Sequence, residues 1–300
     1  MLAMSVNPLL RMFGIDVRPW HFRFEKNGTF ANRLTSFYGK IRTSYAWQRA
    51  VAQWGRAFNW AGRDNFVILS AARSGTTLLV DYLNCHPRVR CRGEILNSDY
   101  ACYGDPRSLG PERLRLQVES FFVARPGKLA GAKLLTYQLD ELPIKLADVV
   151  EVLDNPKIIV LYREHTLDQF VSLKTAERDR VWHSKRPIEN EPISLDPGVF
   201  IEFAKRERRM WRENLAVLSG RRVHYLTYEQ LTRQTKNKLR GVFDYLGLEA
   251  CDVHSPLVKL NGAPLRQRLA SHRDFLDPEV LDYAWLRMPA QETRPAARAA

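Results

Sequence analysis

Short apolar runs alternate with stretches of helical periodicity along most of the chain. The apolar runs predict buried strands at residues 65–69, 129–135, 157–162 and 222–226. The periodic stretches predict helices at 76–84, 144–153, 166–178, 199–218 and 236–246. Strands that alternate with helices favour a parallel sheet with helices on both of its faces. The expected fold class is therefore α/β.

The two ends of the chain differ in composition from this alternating region. Residues 1–62 are rich in aromatic and basic side chains, and residues 289–300 have the composition of a disordered tail. We therefore expect a helical N-terminal extension over 1–62, a main domain over 63–288 and a tail over 289–300. The extension has two interpretations. It packs on the core with its arginines in solvent, or it forms an amphipathic segment that contacts anionic lipid.

The overall composition fits a globular protein with a basic surface. The 300 residues and the apolar fraction of 45% suffice for a full core. A formal net charge of +13 indicates an acidic partner, such as a nucleotide or an anionic lipid surface. The arginines are dispersed, and the sequence has neither an RNA-binding aromatic signature nor zinc-finger spacing. We therefore do not expect nucleic acid as a partner.

The cysteines and the lengths of the apolar runs indicate where in the cell the protein is located and whether it binds a metal ion. The four cysteines form no C-x-x-C pair: Cys85, Cys91, Cys102 and Cys251. This pattern fits reduced thiols in a cytoplasmic protein. His86 with Cys91 is conceivable as a metal site, but such a scatter is typical of structural residues, and we expect no metal. No apolar run is long enough for a membrane span, and residues 1–10 lack the pattern of a secretory signal.

The most informative segment directly follows the first predicted strand. Residues 70–78 have the sequence Ser-Ala-Ala-Arg-Ser-Gly-Thr-Thr-Leu, a turn of small residues that opens a helix. Free backbone N–H groups at a helix start attract anions. Gly75 allows a close approach of a ligand, and Arg73 adds a charge suited to phosphate or sulfate oxygens. We interpret this turn as a phosphate cradle. The alternative is an ordinary strand–turn–helix with a Ser or Thr N-cap.

This cradle differs from that of the nucleoside triphosphatases, which requires a Gly-Lys-Ser/Thr sequence after a first glycine. Here Arg73 precedes the only glycine of the loop, and no lysine follows that glycine. The loop therefore indicates phosphate binding without the chemistry of an ATPase.

A second candidate phosphate site follows the strand predicted at 157–162. Arg163 lies where this strand ends, and Ser172 lies nearly two turns into the next helix. The two side chains can converge on one phosphate, because ligands of parallel sheets bind beyond the carboxyl ends of the strands. The alternative is an ion pair of Arg163 with a carboxylate such as Glu164 or Asp168.

Together these segments resemble the sulfotransferases that use 3′-phosphoadenosine 5′-phosphosulfate (PAPS). The Arg-Ser-Gly-Thr-Thr sequence at 73–77 matches the family's loop for the 5′-phosphosulfate, and Arg163 with Ser172 matches its pair for the 3′-phosphate. The resemblance covers about residues 64–286 and is strongest to the bacterial carbohydrate branch, which includes nodulation-factor enzymes. Cytosolic small-molecule members usually carry Lys in place of Arg73. The resemblance implies a P-loop-like sheet, PAPS as co-substrate, and donor-binding roles for Arg73, Ser74, Gly75, Thr76, Thr77, Arg163 and Ser172.

A third segment is similar to the bacterial branch and carries a candidate base. Residues 92–97 have the sequence Arg-Gly-Glu-Ile-Leu-Asn, which resembles the Gly-Glu segment of that branch. The resemblance implies that Glu94 is the general base. A hydroxyl must lose its proton as it attacks sulfur, and a positioned carboxylate can accept that proton. The alternative is a solvated glutamate at a turn.

Weaker similarities imply further site residues. Lys133 resembles a strand-end lysine of the family that can lie near the sulfuryl group. Arg266 and Arg268 lie in a late basic loop that either closes over the nucleotide or is simply solvated. Residues 225–231 resemble a Tyr-Glu-x-Leu segment that we take as structural.

The expected activity is transfer of a sulfuryl group from PAPS to a hydroxyl of a sugar or glycolipid, with Glu94, Arg73 and Lys133 as catalytic residues. The polar loop 180–198, with Trp182 and His183, is either the acceptor lid or an idle surface loop. We expect a cytoplasmic enzyme, and the N-terminal extension is its candidate segment for peripheral membrane contact. The alternatives are a nucleotide-dependent kinase and an inactive nucleotide- or membrane-binding module.

Overall fold

The computed structural model describes residues 65–97, 109–122, 128–182, 191–257, 263–286 and 288. The expected extension at 1–62, the expected tail at 289–300, Cys102 and His183 lie outside these residues. The domain boundaries predicted from composition therefore stay predictions.

Within the described residues, five parallel strands form one sheet in the order β2-β3-β1-β4-β5. The strands are β1 (Phe66–Ser70), β2 (Val89–Glu94), β3 (Leu129–Leu135), β4 (Lys157–Tyr162) and β5 (Val223–Thr227). All residues of the central strand β1 are buried, as its unbroken apolar run indicates. The predicted α/β class with a parallel sheet is confirmed.

The helices connect the strands and continue beyond them. They are α1 (Thr76–Asn84), α2 (Pro111–Phe121), α3 (Thr136–Glu141), α4 (Leu146–Val152), α5 (Thr166–Asp179), α6 (Pro197–Val217), α7 (Tyr228–Arg233), α8 (Thr235–Leu246), α9 (Leu265–Arg268), a 3₁₀ helix (His272–Leu276) and α10 (Pro278–Tyr283). The Asp196 side chain accepts the Gly198 and Val199 N–H groups, which fixes the start of α6. The helix α8 ends at Gly247, which has the left-handed conformation typical of a C-terminal glycine cap.

Neighbouring residues of β1 point to opposite faces of the sheet, and helices cover both faces. Val67 and Leu69 belong to a core cluster with residues of α2, α4 and α6. Phe66 and Ile68 belong to a second cluster with residues of α1 and α8. A third cluster joins α5 to the first half of α6 and to residues 265–284. The third cluster therefore holds the start of α5 in place next to the edge of the sheet.

The strands β1 and β3 approach each other closely on one face. Phe66 is paired in register with Gly131. A Cβ atom at position 131 would lie 2.0 Å from Cζ of Phe66, so the phenyl ring occupies the space above the glycine. The absence of a side chain at Gly131 thus allows the large ring of Phe66 to pack between the sheet and the helices on this face.

Several elements differ from the expectations. The sequence pattern did not predict β2, α2, α3 or α7, and the polar loop expected over 180–198 ends earlier, because α6 begins at Pro197. The four predicted strands agree with the structure within one residue at each end. Since β1 lies between β3 and β4, the segments that follow these three strands meet at one edge of the sheet.

Candidate functional site

The turn between β1 and α1 adopts an unusual backbone. Arg73 and Gly75 have φ angles of 63° and 82°, both in the left-handed region. A Cβ atom at Gly75 would lie 2.6 Å from Cδ2 of Tyr228, so the turn packs directly against that ring. The N-cap of α1 is Gly75, and no side chain of the described residues caps the helix. A turn closed by a Ser or Thr N-cap is therefore not what forms here.

The start of α1 leaves donors available to an anion. The first N–H groups of a helix have no partner within the helix and carry a partial positive charge. Ser74 is fully buried at this point, and its hydroxyl has no hydrogen-bond partner among the described residues. A buried polar group without a partner is costly. The turn thus has the donors and the backbone shape of an anion site.

Arg73 extends from this turn across the edge of the sheet. Its Nε donates to Oγ of Ser172 over 3.2 Å, and its Nη1 donates to the backbone oxygen of Trp182. Burial lowers the pKa of Arg73, and the charge of Arg163 lowers it further. An anion bound beside this guanidinium would offset both effects.

Arg163 directly follows β4 and contacts the backbone of Arg73. Its Nη1 donates to the backbone oxygen of Arg73 over 3.3 Å, and its Nη2 forms an ion pair with Asp168. Its guanidinium carbon lies 4.6 Å from the centre of the Tyr228 ring. Burial lowers the pKa of Arg163. The structure thus brings together the predicted Arg73, Arg163 and Ser172, and it also forms the ion pair that was the alternative for Arg163.

The late basic loop contributes one of its two predicted arginines. Arg268 is buried, donates from Nε to the backbone oxygen of Ala263 over 3.0 Å and pairs with the second oxygen of Asp168. Arg266 is exposed to solvent. Arg268 therefore belongs to the same cluster as Arg163, whereas nothing in the described contacts joins Arg266 to it.

Glu94 lies at the end of β2 in a second cluster. Its Oε1 lies 3.3 Å from Nζ of Lys133, and its Oε2 accepts from Nδ2 of Asn97 over 2.9 Å and from Nε2 of Gln138 over 3.4 Å. Lys133 also donates to Oγ1 of Thr77 over 3.3 Å. Glu94 is therefore held by three side chains, unlike a solvated glutamate at a turn, and Lys133 joins it to the cradle.

Sequence reasoning missed several residues that shape these clusters. Gln169 donates to the backbone oxygen of Ala72 over 2.9 Å, and Gln138 reaches Glu94. Glu229 accepts the backbone N–H groups that follow Arg163. Glutamine has no spacing rule that marks it as a site residue, so no signal in one sequence distinguishes Gln138 or Gln169. The structural role expected for the segment of Glu229 agrees with these backbone contacts.

The remaining candidates lie outside these clusters. Trp182 is 51% exposed, with its backbone oxygen held by Arg73. His86 accepts the N–H of Arg88, and burial raises the pKa of the Cys91 thiol. No group of three or more His, Cys, Asp or Glu side chains in the described part of the chain could hold a metal ion. None of its helices is both long and apolar enough to cross a membrane.

Comparison with known proteins identifies relatives of this chain. No family model matches it. Nodulation protein H of Rhizobium meliloti (strain 1021) is 26% identical over 196 residues, which cover 62% of this chain and 78% of that protein. The chain is thus similar to nodulation protein H over most of that protein's length. Nodulation protein H of Rhizobium tropici is 32% identical over 138 residues, which cover 45% of this chain and 55% of that protein.

This relationship agrees with the motifs from which the family was predicted. The predicted resemblance to the sulfotransferases of the bacterial nodulation-like branch is confirmed by these similarities. The roles of individual residues at the two clusters stay predictions.

Solved structures of sulfotransferases also have a low similarity to this chain. A sulfotransferase from Alicyclobacillus acidocaldarius has a TM-score of 0.42 and 19% identity, over 66% of this chain and 86% of that chain. The mouse sulfotransferase SULT7A1 complexed with PAP has a TM-score of 0.40 and 18% identity, over 63% of this chain and 61% of that chain.

Proposed function

We propose that the protein transfers a sulfuryl group from PAPS to a hydroxyl of a sugar or glycolipid, with Glu94 as the general base. The observation that carries this proposal is the meeting of two clusters at one edge of the sheet. One contains three guanidinium groups, and the other contains a carboxylate and an ammonium group that contacts the cradle.

The cluster of guanidinium groups is suited to a donor with a phosphate at each end. Residues 73–77 would hold the 5′-phosphosulfate with Arg73, the hydroxyls and the backbone N–H groups of the turn. Arg163 and Arg268 would hold the 3′-phosphate, with Ser172 as a hydroxyl donor. The buried Ser74 hydroxyl, Nε of Arg163 and Nη1 of Arg268 have no partner among the described residues, so donors for such a ligand are present.

Glu94 is placed to act as the base in this scheme. The acceptor hydroxyl would attack the sulfur of the donor as its proton passes to a carboxylate oxygen of Glu94. The bond between sulfur and the bridging oxygen of the 5′-phosphate would break, and adenosine 3′,5′-bisphosphate would leave. The contacts with Asn97, Gln138 and Lys133 fix the orientation of that carboxylate. Lys133, which contacts both Glu94 and Thr77, would stabilise negative charge that develops on the transferring group.

The nature of the acceptor is supported by the relationship to nodulation protein H and by one surface feature. The exposed indole of Trp182 lies on the segment whose backbone Arg73 holds, which places an aromatic surface next to the cradle. Aromatic rings of this kind stack on the apolar faces of sugars. Arg266, in the exposed part of the late loop, stays a predicted further contact to the donor. Cytoplasmic location and contact of residues 1–62 with membrane lipid are further parts of this proposal.

The substitution Glu94→Gln tests the role of the base. Glutamine keeps the size of the side chain but accepts a proton poorly, so transfer from labelled PAPS should slow by about 10²–10⁴-fold. Binding of adenosine 3′,5′-bisphosphate, measured by calorimetry, should stay within about twofold of wild type, since Glu94 belongs to the other cluster.

The matched control is Glu112→Gln, which changes an exposed glutamate in the first turn of α2. It should leave both the transfer rate and bisphosphate binding unchanged. Wild-type transfer by Glu94→Gln would assign the base to another residue.

A further inference from the structure

The carboxylate of Asp168 lies between two buried arginines. One of its oxygens pairs with Nη2 of Arg163 and the other with Nη2 of Arg268. The two arginine side chains are 6% and 8% exposed, and that of Asp168 is 18% exposed. A single carboxylate thus bridges the arginine at the end of β4 and the arginine of the late loop.

This carboxylate neutralises the cluster incompletely. Arg73 lies close enough to Arg163 for their charges to repel, so Asp168 faces a group of three cations. Glu229 also lies near Arg163, and both of its oxygens accept backbone N–H groups. Nε of Arg163 and Nη1 of Arg268 are buried and have no partner among the described residues. Buried donors of this kind favour an additional or a better acceptor.

Building on the donor site proposed above, we propose that Asp168 is a resident counterion that the 3′-phosphate of the donor replaces. A phosphate monoester carries more negative charge than a carboxylate and has three terminal oxygens instead of two. It can therefore pair with both guanidinium groups and also accept from the donors that Asp168 leaves unused. The exchange raises the number of hydrogen bonds and completes the neutralisation of the cluster.

The position of Asp168 in α5 allows this exchange. It lies in the first turn of a 14-residue helix, where its backbone N–H donates to Nδ1 of His165. A carboxylate released from the arginines would remain near the positive end of the helix and near solvent, so its release costs less than exposure of a buried charge elsewhere. Ser172 lies one turn further along the same helix, and its hydroxyl already accepts from Arg73.

This counterion makes Asp168 a residue that determines donor specificity. A ligand without a 3′-phosphate cannot replace the carboxylate, and it binds with the ion pairs of Asp168 intact. A ligand with that phosphate must break these pairs, and it gains the two guanidinium groups in return. Removing the charge of Asp168 should therefore improve the binding of 3′-phosphorylated ligands selectively.

The test compares Asp168→Asn with wild type by calorimetric titration of adenosine 3′,5′-bisphosphate and of adenosine 5′-monophosphate. The variant should bind the bisphosphate about tenfold more tightly and the monophosphate as wild type does. The control Asp179→Asn removes the half-buried carboxylate that pairs with Arg178 at the end of the same helix, and it should change neither affinity. An unchanged or weaker preference for the bisphosphate in Asp168→Asn would overturn the proposal.

A measurement on the wild type keeps the test independent of the variant's stability. In a structure of the complex with adenosine 3′,5′-bisphosphate, Asp168 should have left both arginines, and persistence of both ion pairs overturns the exchange. Failure of wild type to bind the bisphosphate at all would instead contradict the proposed function.

Discussion

Gly75 is the residue on which the shape of the cradle depends most directly. Its φ angle of 82° belongs to the region that glycine adopts without strain, and its Cα faces the ring of Tyr228. That same ring lies under the guanidinium of Arg163. One missing side chain thus sets both the path of the turn and the position of the ring behind the second phosphate site.

The substitution Gly75→Ala should therefore weaken bisphosphate binding at least tenfold and lower the free energy of unfolding by more than the strain of a left-handed alanine, which is about 1–2 kcal/mol. Two glycines provide controls for the two causes. Gly220 has a φ angle of 74° with open space around it, so Gly220→Ala isolates the backbone strain. Gly110, the N-cap of α2, has a φ angle of −67° and open space, so Gly110→Ala should cost only the preference for glycine over alanine at an N-cap, about 1 kcal/mol or less. Urea unfolding and calorimetry measure the effects, and equal losses for Gly75→Ala and Gly220→Ala would exclude the clash with Tyr228.

At the residue scale, the sequence supplied the charged members of the site but not their pairing. Arg73 and Arg163 were found from their positions after predicted strands, whereas Glu94 and Lys133 were found from the resemblance to the family. The sequence placed Ser172 with Arg163, whereas its hydroxyl accepts from Arg73 in the structure. Such pairings depend on side-chain rotamers and on the angle between α1 and α5, neither of which a spacing encodes.

At the scale of elements, the long helix α6 carries a buried carboxyl group behind the site. Glu207 packs against α5, where Gln169 donates a hydrogen bond to it, and Gln169 also holds the backbone oxygen of Ala72 in the cradle. Burial raises the pKa of Glu207 to about 7, while the charge of Arg206 lowers it and that of Asp140 raises it. The helix thus connects an ionisable group to the backbone of the turn.

This carboxyl group predicts a pH dependence of stability. The pKa of Glu207 in the folded protein lies above its ordinary value of 4.5, so the folded state binds the proton more tightly than the unfolded chain does. Its contribution to stability is therefore present at about pH 4.5 and is lost as the pH rises towards about 7. Glu207→Gln should remove this decline and gain on the order of 1–3 kcal/mol over wild type at about pH 8.

Urea unfolding at several pH values measures this difference. The control Glu202→Gln alters an exposed glutamate on the same helix and should keep the decline of wild type. An identical decline in Glu207→Gln would assign the pH dependence to other groups.

The elements that the sequence did not predict share physical causes. The edge strand β2 contains Arg90 and Arg92 and lacks the apolar run that revealed the buried strands. The helices α3 and α7 follow β3 and β5 without an intervening turn, so no glycine or proline marks the change of period. The central strands were predictable because burial on both faces leaves a continuous apolar run.

At the scale of the whole molecule, the charge of +13 acts on any anionic ligand. The field of the protein attracts the donor in addition to the contacts within the site, and salt screens that field over a Debye length of about 8–10 Å near physiological ionic strength. Raising the salt concentration from about 0.05 M to about 0.5 M should weaken the binding of adenosine 3′,5′-bisphosphate about tenfold. Calorimetry with adenosine, which carries no charge, is the control and should show little change. A salt-independent affinity for the bisphosphate would mean that the long-range field of the protein does not contribute to its binding.

The ring of Phe66 above Gly131 restricts which substitutions the centre of the sheet can accept during evolution. A side chain at position 131 has no room until position 66 has become smaller, whereas loss of the ring first leaves a void that position 131 can then fill. The two sites are therefore open to substitution in one order only. Because β1 leads into the cradle and β3 carries Lys133, this pair constrains descendants of the protein at a place remote from any ligand.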